Sequence, residues 1–355
     1  MDMDPNTTFT TSGQVALNTT DVDVNKTCSF ETQLYIFDPR VQAVFIGLYV
    51  IIFVVGVGGN LAVLAVVLGN KHMRTPINLY LVNLAAADLI ICFTGPLLTP
   101  MSTYGFIWDH WAYGPALCRL LPSCMHVTVY MSTFTLTAIA VDRYWAVFYP
   151  FNAKNNSLTR TVLIAIFIDL LAIIFTTPYT WSLHLVPDLI DVGKSYCSTY
   201  TRWPSGLKLM YPLFINITQF FIPFVTIVIC YTKIMTHLRQ RAIGGRSESM
   251  TTHQMLEETT RIIRMNKMLI SIAVIFGICW FPINLINLGL NIFSELGENL
   301  HCWKLLYLFF ILTHVIAMSS TCYNPFFYGW LNPAFRAEFA KFGFCATKGR
   351  LQTRM

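Results

Sequence analysis

Long apolar runs separated by short polar stretches dominate the chain. Seven of them, at about 41–68, 77–101, 115–147, 159–183, 207–236, 261–292 and 304–330, exceed the roughly 20 residues that a helix rising about 1.5 Å per residue needs to cross the hydrocarbon core of a bilayer. After the seventh run, Asn332-Pro333 reads as a helix N-cap and first helical residue, and Phe335, Phe339 and Phe342 recur on one face. The pattern predicts an all-α membrane protein: a seven-transmembrane helix bundle with a short amphipathic eighth helix on the membrane surface. The chain divides into a polar tail over 1–40, a bundle over 41–330, and an eighth helix with a tail over 331–355. The first 40 residues hold no apolar segment suited to a cleaved signal peptide, so the first span is expected to act as the signal itself.

Composition supports this reading. Of 355 residues, 55% are apolar and 12% charged, too little charge for two soluble domains, and the mean hydropathy is +0.54. Charge sets the orientation, because cytoplasmic segments retain Lys and Arg. With the N-terminus outside, 17 of the 24 basic residues fall on inner segments and 11 of the 18 acids outside, with Asp88 and Asp169 within spans. The net charge of +6 is then a topology signal, and no nucleic-acid partner is needed to explain it. The sequons at Asn6, Asn18 and Asn25 lie in the outer tail and mark it for glycosylation. Those at Asn155 and Asn216 fall in an inner loop and a span, where the transferase cannot reach. Four cysteines, Cys28, Cys118, Cys197 and Cys302, lie at or near the oxidising side. Cys118 with Cys197 is the first candidate bridge and Cys28 with Cys302 the second; the spacing leaves the connectivity open.

Polar groups inside the spans carry the chemistry. A charge at the bilayer centre costs about 2.5–3.5 kcal/mol on insertion scales, so Asp88 must face the bundle. One reading is a carboxyl that packs helices by hydrogen bonding. The other is a sodium or proton site whose occupancy differs between two states, with Ser132, Ser320, Thr321 and Asn324 supplying oxygens. Pro178, Pro223, Pro282 and Pro325 interrupt four later spans, and each removes a backbone hydrogen bond where a helix can bend.

The ordered motifs resemble the rhodopsin-like, or class A, G-protein-coupled receptors over nearly the whole span region. They are Gly59-Asn60, Asn83 through Leu89, Cys118, Asp142-Arg143-Tyr144, Pro223 with Tyr231, Phe276 through Pro282, and Asn324-Pro325-Phe326-Phe327-Tyr328. The resemblance implies a plasma-membrane receptor that is not an enzyme and couples to a heterotrimeric G protein, with arrestin, receptor kinases and membrane lipid as further partners. Asp142, Arg143, Tyr144, Tyr231, Phe276, Trp280, Pro282, Asn324, Pro325 and Tyr328 then form the coupling machinery. Arg143 pairs inward at rest and meets the G protein on opening, while Tyr231 and Tyr328 meet through water once the sixth span swings out. Cys345 stands where many relatives are palmitoylated. No cofactor is implied, and no metal beyond sodium.

Two departures stand out. Ile262, twenty residues before Pro282, occupies a position often acidic in these receptors, so Arg143 lacks its usual sixth-span partner and ligand-free signalling is expected, with Glu257 and Glu258 about one turn away as the alternative acids. Asp169, nine residues before Pro178, replaces the usual tryptophan, and Asn83 is its expected partner.

The ligand is narrowed by what is missing. Amine receptors carry an aspartate seven residues after the bridging cysteine, where this chain has Met125, and no Lys suited to retinal occurs between Lys304 and Lys341. Ser319 through Asn332 and Trp203-Pro204-Ser205 are similar to neuropeptide Y and neuropeptide F-like receptors, including relatives that bind amidated RFamide or RYamide peptides. The resemblance places Met125, Gln219, Trp280, Asn284, Asn287, Asn291 and His314 in the peptide pocket. Side-chain amides at Gln219 and Asn287 suit a C-terminal amide, which both donates and accepts; they also suit each other. Asn291 replaces the usual acid, so a peptide arginine would turn to Glu295, Glu298, Asp188 or Asp191. Alternatives are another peptide class, such as tachykinin-like ligands, or a transporter or intramembrane protease. The chain shows no internal repeat, and its two intramembrane aspartates share no motif.

Overall fold

The computed structural model describes residues 38–97, 110–149, 158–187, 193–198, 207–243, 252–295 and 303–341. Each apolar run is a helix. These are α1 (Pro39–Gly69), α2 (Pro76–Cys92), α3 (Gly114–Phe148), α4 (Leu158–Ser182), α5, α6 (Thr252–Glu295) and α7 (Trp303–Leu331), followed by α8 (Pro333–Lys341). The rod α5 has three pieces: Leu207–Ile215, a π-helical turn over Asn216–Phe221, and Ile222–Ile243. Among the described residues, six of the helices are long and apolar enough to cross a membrane. The seventh, α7, spans 29 residues and packs against α6 and α1 as part of the same bundle. The two strands, β1 (His184–Pro187) and β2 (Ser195–Ser198), pair antiparallel with Leu185 opposite Cys197.

Local chemistry sets the helix starts. Asp38-Pro39, Thr75-Pro76 and Asn332-Pro333 each place an oxygen-bearing side chain before a proline whose missing N–H would be unpaired there anyway. Asp38 accepts from the Arg40 amide at 2.8 Å, Thr75 from Asn78 at 3.3 Å and Asn332 from Ala334 at 3.0 Å. Further in, Pro96 sits in a π-helical turn over Phe93–Leu97 that continues α2, and Pro223 follows the π turn of α5. A proline cannot donate to the carbonyl four residues back and its ring pushes against it, which favours wider local winding. On the inner side α5 and α6 outrun their apolar stretches, which end at 236 and begin at 261. Polar helix formers such as Gln240, Gln254, Glu257 and Glu258 continue the helix past the membrane boundary, where hydropathy no longer reports it.

Within the bundle α3 touches α2, α4, α5 and α6, while α1 lies against α2 and α7, and α6 against α7 and α5. Close approach depends on small residues. A Cβ at Gly56 would fall 2.6 Å from Cys92 Sγ, and one at Gly59 2.8 Å from Pro325 Cγ. A large apolar core runs through the bundle, with a smaller cluster of Ala87, Tyr130, Met131 and Ala172 between α2, α3 and α4, and the outward faces, such as Phe167, Ile174, Phe281 and Trp330, are exposed as a lipid-facing surface should be.

The short helix α8 seats Phe335 and Phe339 under the bundle, with the Phe335 ring 5.4 Å from that of Tyr328. Phe342 lies outside the described residues. Buried Glu338 fastens α8 to the α1–α2 turn, accepting from Lys341 Nζ at 2.7 Å and Asn70 Nδ2 at 3.3 Å, with His72 Nε2 at 3.4 Å. The Lys341 hydrogen bond holds the Glu338 carboxyl below the usual carboxylate range, against the opposing effect of burial and with help from the charges of Lys341 and His72. A carboxyl whose folded value lies below its unfolded one stabilises fully above the unfolded value of about 4.3, and that contribution is lost as pH falls through the folded value. Glu338→Gln is therefore expected to speed amide hydrogen exchange over residues 335–341 at neutral pH. The gap to wild type should close as the pH is lowered below 4.3 or so, as read by exchange mass spectrometry in nanodiscs.

Candidate functional site: a polar path through the bundle

At the end of the bundle that the charge bias turns outward, Cys118 on α3 is disulfide-bonded to Cys197 on β2. Trp111 N donates to Ser195 O at 2.8 Å and Arg119 Nε to Leu183 O at 3.2 Å, so the hairpin is fastened to the start of α3.

The residues that the resemblance assigns to a peptide pocket fall on α3, α5, α6 and α7. Gln219 is buried on the π turn of α5 and donates from Nε2 to the His126 carbonyl on α3 at 3.3 Å. The winding that Pro223 favours thus coincides with the one glutamine of the pocket. Met125 is half-buried and packs on the core. Asn284 Nδ2 donates to the Trp280 carbonyl at 2.7 Å, and Asn287 is half-buried on α6. The side chain of Asn291 lies outside the described residues. His314 is buried, and its Nδ1 is 2.7 Å from the Tyr49 hydroxyl, so this pocket residue is tied to α1.

Sequence reasoning missed a second group beside Gln219. The rings of His126 and Tyr179 are 4.1 Å apart, the Tyr130 hydroxyl is 2.9 Å from Thr218 Oγ1, and the Tyr211 hydroxyl donates to the Phe175 carbonyl at 3.0 Å. Their signal was present as polar-tipped aromatics inside apolar runs, which want a partner when buried.

From the pocket floor the polar groups continue inward along α7. The Phe276 and Trp280 rings stack with centroids 5.9 Å apart, and Trp280 Nε1 donates to Ser320 Oγ at 3.0 Å. Next to Ser320, Thr321 accepts from Cys92 Sγ at 3.5 Å through its hydroxyl, and from Asn60 Nδ2 at 2.9 Å through its carbonyl. Asn324 Nδ2 then donates to Asp88 Oδ2 at 2.7 Å. Asp88 is 1% exposed, so its carboxyl faces the bundle. The hydroxyl of Ser132 and Oδ1 of Asn60 are buried with no protein partner.

Between α2, α3 and α4, Asn83 Nδ2 lies 3.1 Å from both Thr135 Oγ1 and Asp169 Oδ1, the contact expected of the unusual aspartate. At the inner end Arg143 pairs with its neighbour Asp142, and Tyr144 stacks on Phe148 with centroids 4.5 Å apart. Tyr231 and Tyr328 are buried. Ile262 packs on the core and offers Arg143 no charge; the side chains of Glu257 and Glu258 lie outside the described residues, as do Asn6, Asn18, Asn25, Cys28, Cys302 and Cys345.

A seven-helix bundle with this inward polar path is the architecture of a membrane receptor, and comparison with known proteins agrees. Residues 59–328 match the family "7 transmembrane receptor (rhodopsin family)", and the chain belongs to it. Among its relatives is the neuropeptide Y receptor type 6 of Mus musculus, 31% identical over 301 residues, or 82% of this chain and 77% of that protein. The neuropeptide F receptor of Drosophila melanogaster is 31% identical over 304 residues, covering 83% of this chain and 61% of that receptor's length. The protein is thus a multi-pass plasma-membrane receptor and not an enzyme, and the transporter and protease readings fall away.

The Asn83–Asp169 contact can be measured. A double-mutant cycle with Asn83→Ala and Asp169→Ala is expected to show a coupling of about 0.6–1.7 kcal/mol in the unfolding of the detergent-solubilised receptor, the range of interhelical hydrogen bonds in membranes. Additive effects would mean the contact contributes nothing.

Proposed function

We propose that this receptor recognises a neuropeptide with an amidated C-terminus, of the neuropeptide Y/F, RFamide or RYamide kind, and passes the signal to a heterotrimeric G protein. The observation that carries the reading is the buried amide of Gln219 on the pocket wall, with Asn284 and Asn287 on α6. Together with Met125 these would line a pocket of neutral groups, and His314 is already bonded to Tyr49. A neutral peptide amide can be desolvated there and find both donors and acceptors, whereas a free carboxylate would be buried without a cation. The two relatives, a neuropeptide Y receptor and a neuropeptide F receptor, point the same way.

Ligand pressing on the pocket floor meets Trp280, whose bond to Ser320 leads toward Asn324 and Asp88. Pro282, next to that contact, is where α6 can change angle. Movement of its inner end would free Arg143 for the G protein and bring Tyr231 and Tyr328 together. Arrestin and receptor kinases are further partners that we infer from the family.

We also propose a sodium ion at Asp88. One carboxylate with the oxygens of Ser132, Ser320, Thr321 and Asn324 suits a hard monovalent cation, and the unpartnered Ser132 hydroxyl offers a ready ligand. Such an ion would supply the charge that Asp88 otherwise lacks, in one receptor state more than the other.

Two measurements test these readings. Amidated RFamide and RYamide peptides should drive guanine-nucleotide exchange, and their free-acid forms should need about 100-fold higher concentrations, matching a charge-burial cost near 3 kcal/mol. Equal potency of acid and amide would refute the amide reading. Replacing sodium by N-methylglucamine should raise agonist affinity in wild type and leave Asp88→Asn unchanged, whereas an identical response in both would remove the ion from Asp88.

A further inference from the structure

The inward face of α6 is a stripe of Ile262, Asn266, Leu269, Ala273, Phe276, Trp280 and Ile283, spaced by three and four residues as one side of a helix requires. Asn266 is its only amide. It is 0% exposed, and neither its Oδ1 nor its Nδ2 has a protein partner. A buried amide with both ends unpaired is rare, because the group has left water without replacing any of its hydrogen bonds.

Two other buried polar groups in the inner half share this condition, and they sit on the helices that α6 packs against. Arg143 on α3 pairs with Asp142 through Nη2, but its Nε is buried without a partner. Tyr328 on α7 is 0% exposed and its hydroxyl is unpartnered. The chemistry of the three is complementary: Arg143 Nε is a donor, Asn266 offers an acceptor and a donor, and the Tyr328 hydroxyl takes either role. Asn266 also lies one helical turn from Ile262 on the same face, the place where an acid would have met Arg143.

We propose that Asn266 is the resting-state latch of this receptor: its side-chain amide, through bridging water, links Arg143 on α3 and Tyr328 on α7 to α6 in place of the salt bridge that Ile262 cannot make. A neutral latch is weaker than an ion pair, so α6 is restrained but not locked, and ligand-free signalling stays measurable. An arginine released from Asn266 is free to meet a G protein, so the latch and the coupling site share one side chain. The proposal rests on the reading of the chain as a G-protein-coupled receptor.

The test compares wild type, Asn266→Leu, Asn266→Asp and the pair Asn266→Leu with Ile262→Glu, in nanodiscs at matched receptor amounts. Two readouts are taken without ligand: basal nucleotide exchange, and the emission of a fluorophore on exposed Lys267→Cys, which follows α6 without any G protein. Asn266→Leu is expected to shift the label toward the open state and raise basal exchange roughly two- to tenfold, the loss of one or two hydrogen bonds. Asn266→Asp should close α6 and lower exchange below wild type, and the added Ile262→Glu should return the leucine variant toward closed. A label unchanged by Asn266→Leu, or opened by Asn266→Asp, overturns the latch, and the aspartate variant alone decides if the leucine variant fails to fold. Failure of the coupling reading looks different: no exchange from any variant with or without amidated peptide, while the label still responds.

Discussion

The bilayer core offers no hydrogen bonds, and that constraint organises this protein more than any single contact. A polar group placed within the spans costs free energy unless it is hydrogen-bonded, so the polar side chains that bond across helix interfaces help decide which helices lie together. Asp88 meets Asn324, Asn60 meets the Thr321 carbonyl, Asn83 is shared by Thr135 and Asp169, and Trp280 meets Ser320. Four of the helices, α1, α2, α6 and α7, are joined by such bonds along the polar residues of α7. The apolar faces supply packing density; the polar bonds supply identity of position.

The same constraint explains how signal and structure share residues. A partner that is optimal and permanent fixes a helix, whereas one that can be exchanged lets it move. Asp88 is bonded to Asn324, while the buried Ser132 hydroxyl and Asn60 Oδ1 have no protein partner, and Arg143 is satisfied on one nitrogen and not another. Such partial satisfaction is costly in a static fold. In a receptor it keeps two arrangements close in free energy, which is what a ligand of modest differential affinity can exploit.

Much of this was legible in the chain. Apolar length alone gives the seven helices, the Asn332-Pro333 start gives α8, and the pairing of Asp169 with Asn83 comes from the need to satisfy a carboxyl in mid-span together with the family resemblance, whose usual tryptophan packs at Asn83. What escaped the sequence was decided by geometry across helices. The π turns over Phe93–Leu97 and Asn216–Phe221 leave no mark in hydropathy, although Pro96 and Pro223 beside them hint at irregular winding. Gln219 could be named as a pocket amide, but its bond to the His126 carbonyl depends on that winding. His314 likewise reads as a pocket residue from its place in span seven, and only the packing of α1 reveals its bond to Tyr49. The inner extensions of α5 and α6 escaped for a simpler reason: hydropathy marks the membrane, and helices do not stop where the membrane does.

The bond between His314 and Tyr49 gives α1 a role that its apolar sequence does not advertise. That helix is a strut of 31 residues, pinned to α7 near its outer end through Tyr49 and reaching α8 just past its inner end through Asn70 and Glu338. Because α7 runs directly into α8, the three helices close a triangle, with α1 and α7 in close contact at Gly56 and Gly59. A triangulated frame resists shear. The side of the receptor built from α1, α7 and α8 is thereby braced as a single wall, against which α2 and α6 pack.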